Sequence, residues 1–142
     1  MKVVIDTNIF VMSFSTRSEF HDILLKLKNG AYELVITSEI MLEYEEIMTE
    51  KYGEKGAQLF LMLLEELPNV HFIRTFYRFN LITKDTDDNK FIDAAFATNA
   101  KYLVSEDKHF KELKYIEFPQ IDVISIEKFM EILRGPSLLK NK

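Results

Sequence analysis

Lys2-Val3-Val4-Ile5-Asp6-Thr7-Asn8 is the stretch on which the reading of the whole chain turns. Val3, Val4 and Ile5 form an unbroken β-branched run, the composition of a strand covered on both faces of a parallel sheet. The run stops abruptly at three polar side chains. In open α/β sheets, ligands gather beyond the carboxyl ends of the strands, so an acid at position 6 is placed for chemistry. On this stretch alone, Asp6 and Asn8 are better explained as caps of a turn. The acids further along the chain decide between the two.

Outward from that strand, apolar runs and helical stripes alternate. Ser18 to Asn29 reads as a helix, with Phe20, Ile23, Leu24 and Leu27 at helical spacing and Asn29-Gly30 as its stop. Leu34-Val35-Ile36-Thr37 is a second strand, and Thr37 or Ser38 can cap a helix from Glu39 to Lys51. In that helix Glu43 lies three residues after Ile40 and four before Ile47, on the apolar face, whereas Glu39, Glu45, Glu46 and Glu50 lie further round. A separate helix is expected from Glu54 to Leu67, where Met62 and Leu63 widen the apolar stripe toward a partner surface. Val70 to Ile73 is a third strand. Arg74 to Thr86 interleaves Arg74, Arg78 and Lys84 with Phe76, Tyr77 and Phe79, a pattern that suits either an anchored surface loop or contacts to a single nucleic-acid strand.

Asp85-Thr86-Asp87-Asp88-Asn89 opens the next helix, whose apolar positions are Phe91, Ile92, Ala95 and Phe96. Acids at a helix start are favoured by the macrodipole whatever the function. Asp88 nevertheless falls three before Phe91 and four before Ile92, on the inward side. Tyr102 to Ser105 is the fourth strand and again ends in polar residues, Ser105-Glu106-Asp107-Lys108. Ile121 to Ile124 is the fifth, and Ser125 can cap a last helix through Leu133. Gly135-Pro136 ends it, so residues 1–134 are expected to form one domain and 135–142 a mobile polar tail.

Composition bounds the function. The 142 residues, 47% hydrophobic and 29% charged, suit a single globular domain. No run reaches membrane-spanning length and no signal-peptide pattern opens the chain, which places it in the cytoplasm. Without cysteines there are neither disulfides nor thiolate metal sites. A formal charge of −5 argues against a face that tracks duplex DNA, unless the acids converge on bound cations that reverse the local field.

That convergence is what the pattern predicts. Strands alternating with helices form a parallel sheet, and right-handed crossovers put all strand carboxyl ends along one edge. Asp6 and Asp107 follow the first and fourth strands, Glu43 sits early in the helix after the second, and Asp88 begins the helix before the fourth. With the first and fourth strands adjacent, four carboxylates meet in one crevice. They repel one another unless protonated or bridged by cations. Oxygen-only ligands suit hard ions, hence Mg²⁺ or Mn²⁺ rather than Zn²⁺.

The opening Val3 to Asn8 segment, the Ser38-x-x-x-x-Glu43-Tyr44 helix, Asp87-Asp88-Asn89-Lys90-Phe91-Ile92-Asp93-Ala94-Ala95, and Ala100 through Lys108 together resemble the PIN-domain nucleases. The likeness is greatest to the toxin components of bacterial and archaeal toxin–antitoxin pairs, the VapC-type toxins among them, and runs from Lys2 to about Phe129. It implies a three-layer α/β domain with a central five-stranded parallel sheet in the order 3-2-1-4-5, flanked by helices. It also implies metal-dependent cleavage of RNA to 5′-phosphate and 3′-hydroxyl products. The family's acids map onto Asp6, Glu43, Asp88 and Asp107, its supporting polar positions onto Asn8 and Ser105, and Asp93 stands as the alternative to Asp88.

The chemistry expected is phosphodiester hydrolysis in single-stranded or loop RNA, with Asp107 or Asp88 accepting the proton. His21, His71 and His109 take no part in the pattern; His109 lies near Asp107 but suits an exposed loop. Two other classes compete. A haloacid-dehalogenase-like phosphotransfer enzyme also starts with a strand ending in Asp, but needs a second acid where this chain has Asn8. A catalytically inactive PIN-like module would bind RNA or protein without cutting. The toxin reading adds an antitoxin partner over the acids, and the surplus apolar residues allow a homodimer.

Overall fold

β1 (Lys2–Ile5) is the central strand of the sheet in the computed structural model, which describes residues 1–73, 89–108, 110 and 121–135. Val3, Val4 and Ile5 are fully buried, as a strand covered on both faces requires. β2 (Glu33–Thr37) pairs with one side of β1 and β4 (Tyr102–Val104) with the other. β3 (Val70–Ile73) and β5 (Val123–Ile124) form the two edges, every pairing is parallel, and the order is 3-2-1-4-5. Helices surround this sheet, giving the α/β architecture that the alternation of strands and helices predicts.

The register fixes the site. Ile5 stands opposite Val104, so β1 and β4 end side by side. The ladder runs one step further, with the Asp6 N–H donating to the Val104 carbonyl at 3.0 Å and the Ser105 N–H to the Ile124 carbonyl at 3.0 Å. The polar residues after each strand therefore emerge next to each other at the carboxyl edge.

The helices are α1 (Thr7–Ser13), α2 (Asp22–Lys28), α3 (Ser38–Glu66), α4 (Asn89–Ala97) and α5 (Ile126–Arg134). The sequence reading contained no α1. Ile9-Phe10-Val11 is a contiguous apolar block, which carries no helical periodicity, yet Ile9 and Phe10 are buried here as helical residues. α2 begins later than the expected Ser18, because the Ser18 hydroxyl accepts the Phe20 N–H at 3.0 Å and holds a turn instead. α3 joins the two helices expected at 39–51 and 54–67, and the junction between them survives as a kink at Gly53 (φ 79°, ψ 172°). That backbone region is essentially glycine-only. The caps are as anticipated: the Thr37 hydroxyl accepts the Ile40 N–H at 3.2 Å and the Ser125 hydroxyl accepts the Lys128 N–H at 3.0 Å.

α4 presents Phe91, Ile92, Ala94 and Ala95 to the interior and packs on β1, β2, β4 and α3. Outside the kink, α3 leaves Leu59 64% and Met62 53% exposed beside a groove of about 680 Å³ shared with Phe14, Tyr52 and Leu63. Among the described residues no helix is long and apolar enough to cross a membrane. The segment from Arg74 to Asp88, which contains the basic and aromatic interleaving, lies outside the described residues, as do His109 and the tail from Pro136.

Candidate active site

Asp6 follows β1 directly and is only 6% exposed. It occupies the position before α1 with extended backbone, and its carbonyl accepts the Ile9 N–H at 3.0 Å, but its side chain makes no capping bond to the helix. The turn-cap explanation therefore accounts for its backbone and not for its carboxylate. That carboxylate accepts a hydrogen bond from the Ser105 hydroxyl at 2.7 Å, across 99 residues of sequence. The same Ser105 oxygen accepts the Asp107 N–H at 3.0 Å. One hydroxyl thus ties the ends of β1 and β4 together and fixes the turn that presents Asp107. Phe110, buried three residues on, anchors that turn, its N–H donating to the Asp107 carbonyl at 3.2 Å.

Glu43 arrives from α3. Its neighbour Tyr44 is fully buried and donates its hydroxyl to the Ile5 carbonyl, which pins the first turns of α3 onto the last residue of β1. Edge-on contacts of Tyr44 with Phe10 at 5.3 Å and Phe60 at 5.9 Å hold the ring from α1 and from the far half of α3. With Tyr44 fixed, Glu43 points at the start of α1, where the Thr7 hydroxyl donates to its Oε2. Its Oε1 is 2.8 Å from the Lys90 Nζ, which comes from the first turn of α4. The sequence reading singled out Glu43 but gave Thr7 and Lys90 no role. Thr7 adjoins Asp6, which is a usable signal; the Lys90 contact depends on how α4 docks and leaves none.

Asp93 is buried and lies three residues beyond Lys90, on the same face of α4. Asn8 is exposed beside Asp6. Asp88 lies outside the described residues, and the contact that α4 makes with the acids around Asp6 is the one from Lys90 to Glu43.

The electrostatics bind these groups into one unit. Burial pushes the Asp6 carboxyl up from 3.8 to about 6, the negative charges of Glu43 and Asp107 push the same way, and the Ser105 hydroxyl opposes them. Burial raises the Tyr44 hydroxyl well above its ordinary range, and Asp6 and Glu43 add to the effect. Acids from β1, α3 and the turn after β4 therefore feel each other, as the topology predicts. Their donor atoms are all carboxylate oxygens, which suits a hard divalent ion, and such an ion would relieve both the burial of the Asp6 charge and the smaller repulsion from Glu43 and Asp107. Among the described residues no three carboxylates close on one point to form a finished metal site.

A PIN domain family model matches residues 2–109, and the chain belongs to that family. Solved structures with the same fold include VapBC2 of Rickettsia felis bound to a DNA fragment from their promoter, 20% identical with a TM-score of 0.61 over 88% of this chain and 98% of that one. VapC20 of Mycobacterium tuberculosis, described as a sarcin–ricin loop cleaving toxin, is 9% identical with a TM-score of 0.57, over 77% of this chain and 92% of that one. The PIN domain endonuclease Utp24 is 14% identical with a TM-score of 0.54, over 87% and 84% of the two chains. Comparison with curated protein sequences gives no match.

Proposed function

We propose that this chain is a divalent-metal-dependent endoribonuclease acting on single-stranded or loop RNA, and the toxin of a toxin–antitoxin pair. The observation that carries the reading is the convergence on Asp6, at the adjoining ends of β1 and β4, of Asp107, tied to it through Ser105, and of the charge of Glu43 from α3. Asp6, Glu43 and Asp107, with Asp88 or Asp93 from the α4 region, would hold Mg²⁺ or Mn²⁺, with Asn8 and Ser105 as supporting polar groups. When bound, the ion supplies Lewis-acid activation of water and stabilises charge on the leaving oxygen.

The chain's own residues do the rest. Ser105 orients the Asp6 carboxylate, Thr7 orients that of Glu43, and Tyr44 keeps α3 in register with β1. Asp107, half-buried, or Asp88 would take the proton from an attacking water, giving 5′-phosphate and 3′-hydroxyl ends. The loop-cleaving description of VapC20 supports loop RNA as substrate, and the VapBC complexes support an antitoxin partner. The exposed Leu59 and Met62 offer apolar surface to such a partner or to a second copy of the chain. The test is cleavage of a fluorescently labelled single-stranded RNA and a stem–loop with Mg²⁺ or Mn²⁺. Cutting is expected to stop with EDTA and with Asp6→Asn. Cutting that persists in either refutes the mechanism, and RNA binding without cutting points to an inactive module.

A further inference from the structure

Both oxygens of the Glu43 carboxylate already accept a donor: Oε2 from the Thr7 hydroxyl and Oε1 from Lys90 at 2.8 Å. The Lys90 side chain is only 14% exposed and that of Glu43 24%, so this ion pair stands largely out of solvent. Lys90 enters from the first turn of α4, a helix packed against β1, β2, β4 and α3, and its ammonium lies 5.8 Å from the Phe91 ring centre. It is a firmly placed positive charge on one of the acids around Asp6.

We infer that Lys90 is a positioning residue that acts as a tethered counter-ion of the acidic site and competes with the divalent cation for Glu43. The inference rests on the metal-site reading proposed above. A cation taken up by Glu43 either displaces the ammonium from Oε1 or sits beside it against like-charge repulsion, and each weakens binding. Without the divalent ion, Lys90 offsets part of the repulsion among the carboxylates and keeps Glu43 turned toward Thr7. The site is thereby set for metal affinity lower than its acids alone would give.

The test is Mn²⁺ titration by calorimetry, without RNA, of the wild-type chain, Lys90→Met, Lys90→Arg and Asp6→Asn. Lys90→Met keeps the aliphatic stem and removes the charge; it is expected to bind Mn²⁺ about tenfold more tightly, with Lys90→Arg close to wild type. Thermal unfolding supplies a second readout: in EDTA Lys90→Met melts below wild type, and saturating Mn²⁺ raises its midpoint by more than it raises that of wild type. Tighter binding is not what a damaged fold produces, and Lys90→Gln serves if Lys90→Met does not fold. Equal or weaker affinity in a folded Lys90→Met overturns the inference. If wild type binds Mn²⁺, Asp6→Asn abolishes it and Lys90→Met leaves it unchanged, the inference alone fails. If neither wild type nor Lys90→Met binds, the metal-site reading fails with it.

Discussion

Asp6→Asn separates the demands of chemistry from those of folding. In the folded chain the Asp6 carboxyl titrates at about 6 instead of 3.8, so holding it ionised at neutral pH costs about 3 kcal/mol relative to the unfolded chain. The sign follows from proton binding. Between pH 4 and 6, roughly, the folded state binds the proton more tightly than the unfolded state, so this destabilisation is absent below the unfolded value and complete above the folded one. Asparagine is neutral at every pH and keeps one oxygen to accept from Ser105, but it puts an amide NH₂ in a buried place shaped for a second carboxylate oxygen. Subtracting about 1–2 kcal/mol for that mismatch leaves a net gain of about 1–2 kcal/mol at pH 7.5. In a domain of this size that is a rise of roughly 3–6 °C in melting temperature. The assay is thermal unfolding in EDTA at pH 7.5 and again near pH 4.5, with RNA cleavage measured in parallel. We expect an inactive variant more stable than wild type at pH 7.5, with the advantage shrinking as the pH falls. A variant that is less stable at pH 7.5, or whose advantage does not depend on pH, refutes the account of Asp6.

Ser105→Ala removes the hydroxyl that lowers the Asp6 carboxyl and accepts the Asp107 N–H. Its pH–stability profile should move to higher pH, with a loss of about 1–2 kcal/mol at neutral pH; an unmoved profile would count against the link. Tyr44→Phe keeps the ring contacts but loses the bond to the Ile5 carbonyl. A destabilisation of about 1–2 kcal/mol, read from the urea midpoint, should accompany weaker cleavage as Glu43 loosens. Gly53→Ala meets no atom within 4 Å of the added Cβ, yet its φ of 79° and ψ of 172° suit glycine alone. It should cost about 1–3 kcal/mol through backbone strain, visible as a lower melting temperature.

The strands, their parallel pairing and the inward position of Glu43 were legible because each is written in local spacing. Val3 to Ile5 is a run that only a doubly covered strand explains, and Glu43 sits at helical offsets from Ile40 and Ile47. The strand order came through family resemblance, and the pairings bear it out. What stayed hidden depends on tertiary contact. α1 is too short to show a period, and Gly53 reads as a break although it only bends α3. The Lys90–Glu43 pair exists because α4 lies beside α3, and no spacing within either helix announces it.

The bond from Ser105 to Asp6 joins residues 99 apart. While the polypeptide is being synthesised, the first strand, Thr7 and Glu43 leave the ribosome long before the fourth strand does. Until Tyr102 to Asp107 have emerged and settled beside β1, the acids have no common crevice. A site divided in this way between β1 and the turn after β4 is not assembled until the later of the two has been made.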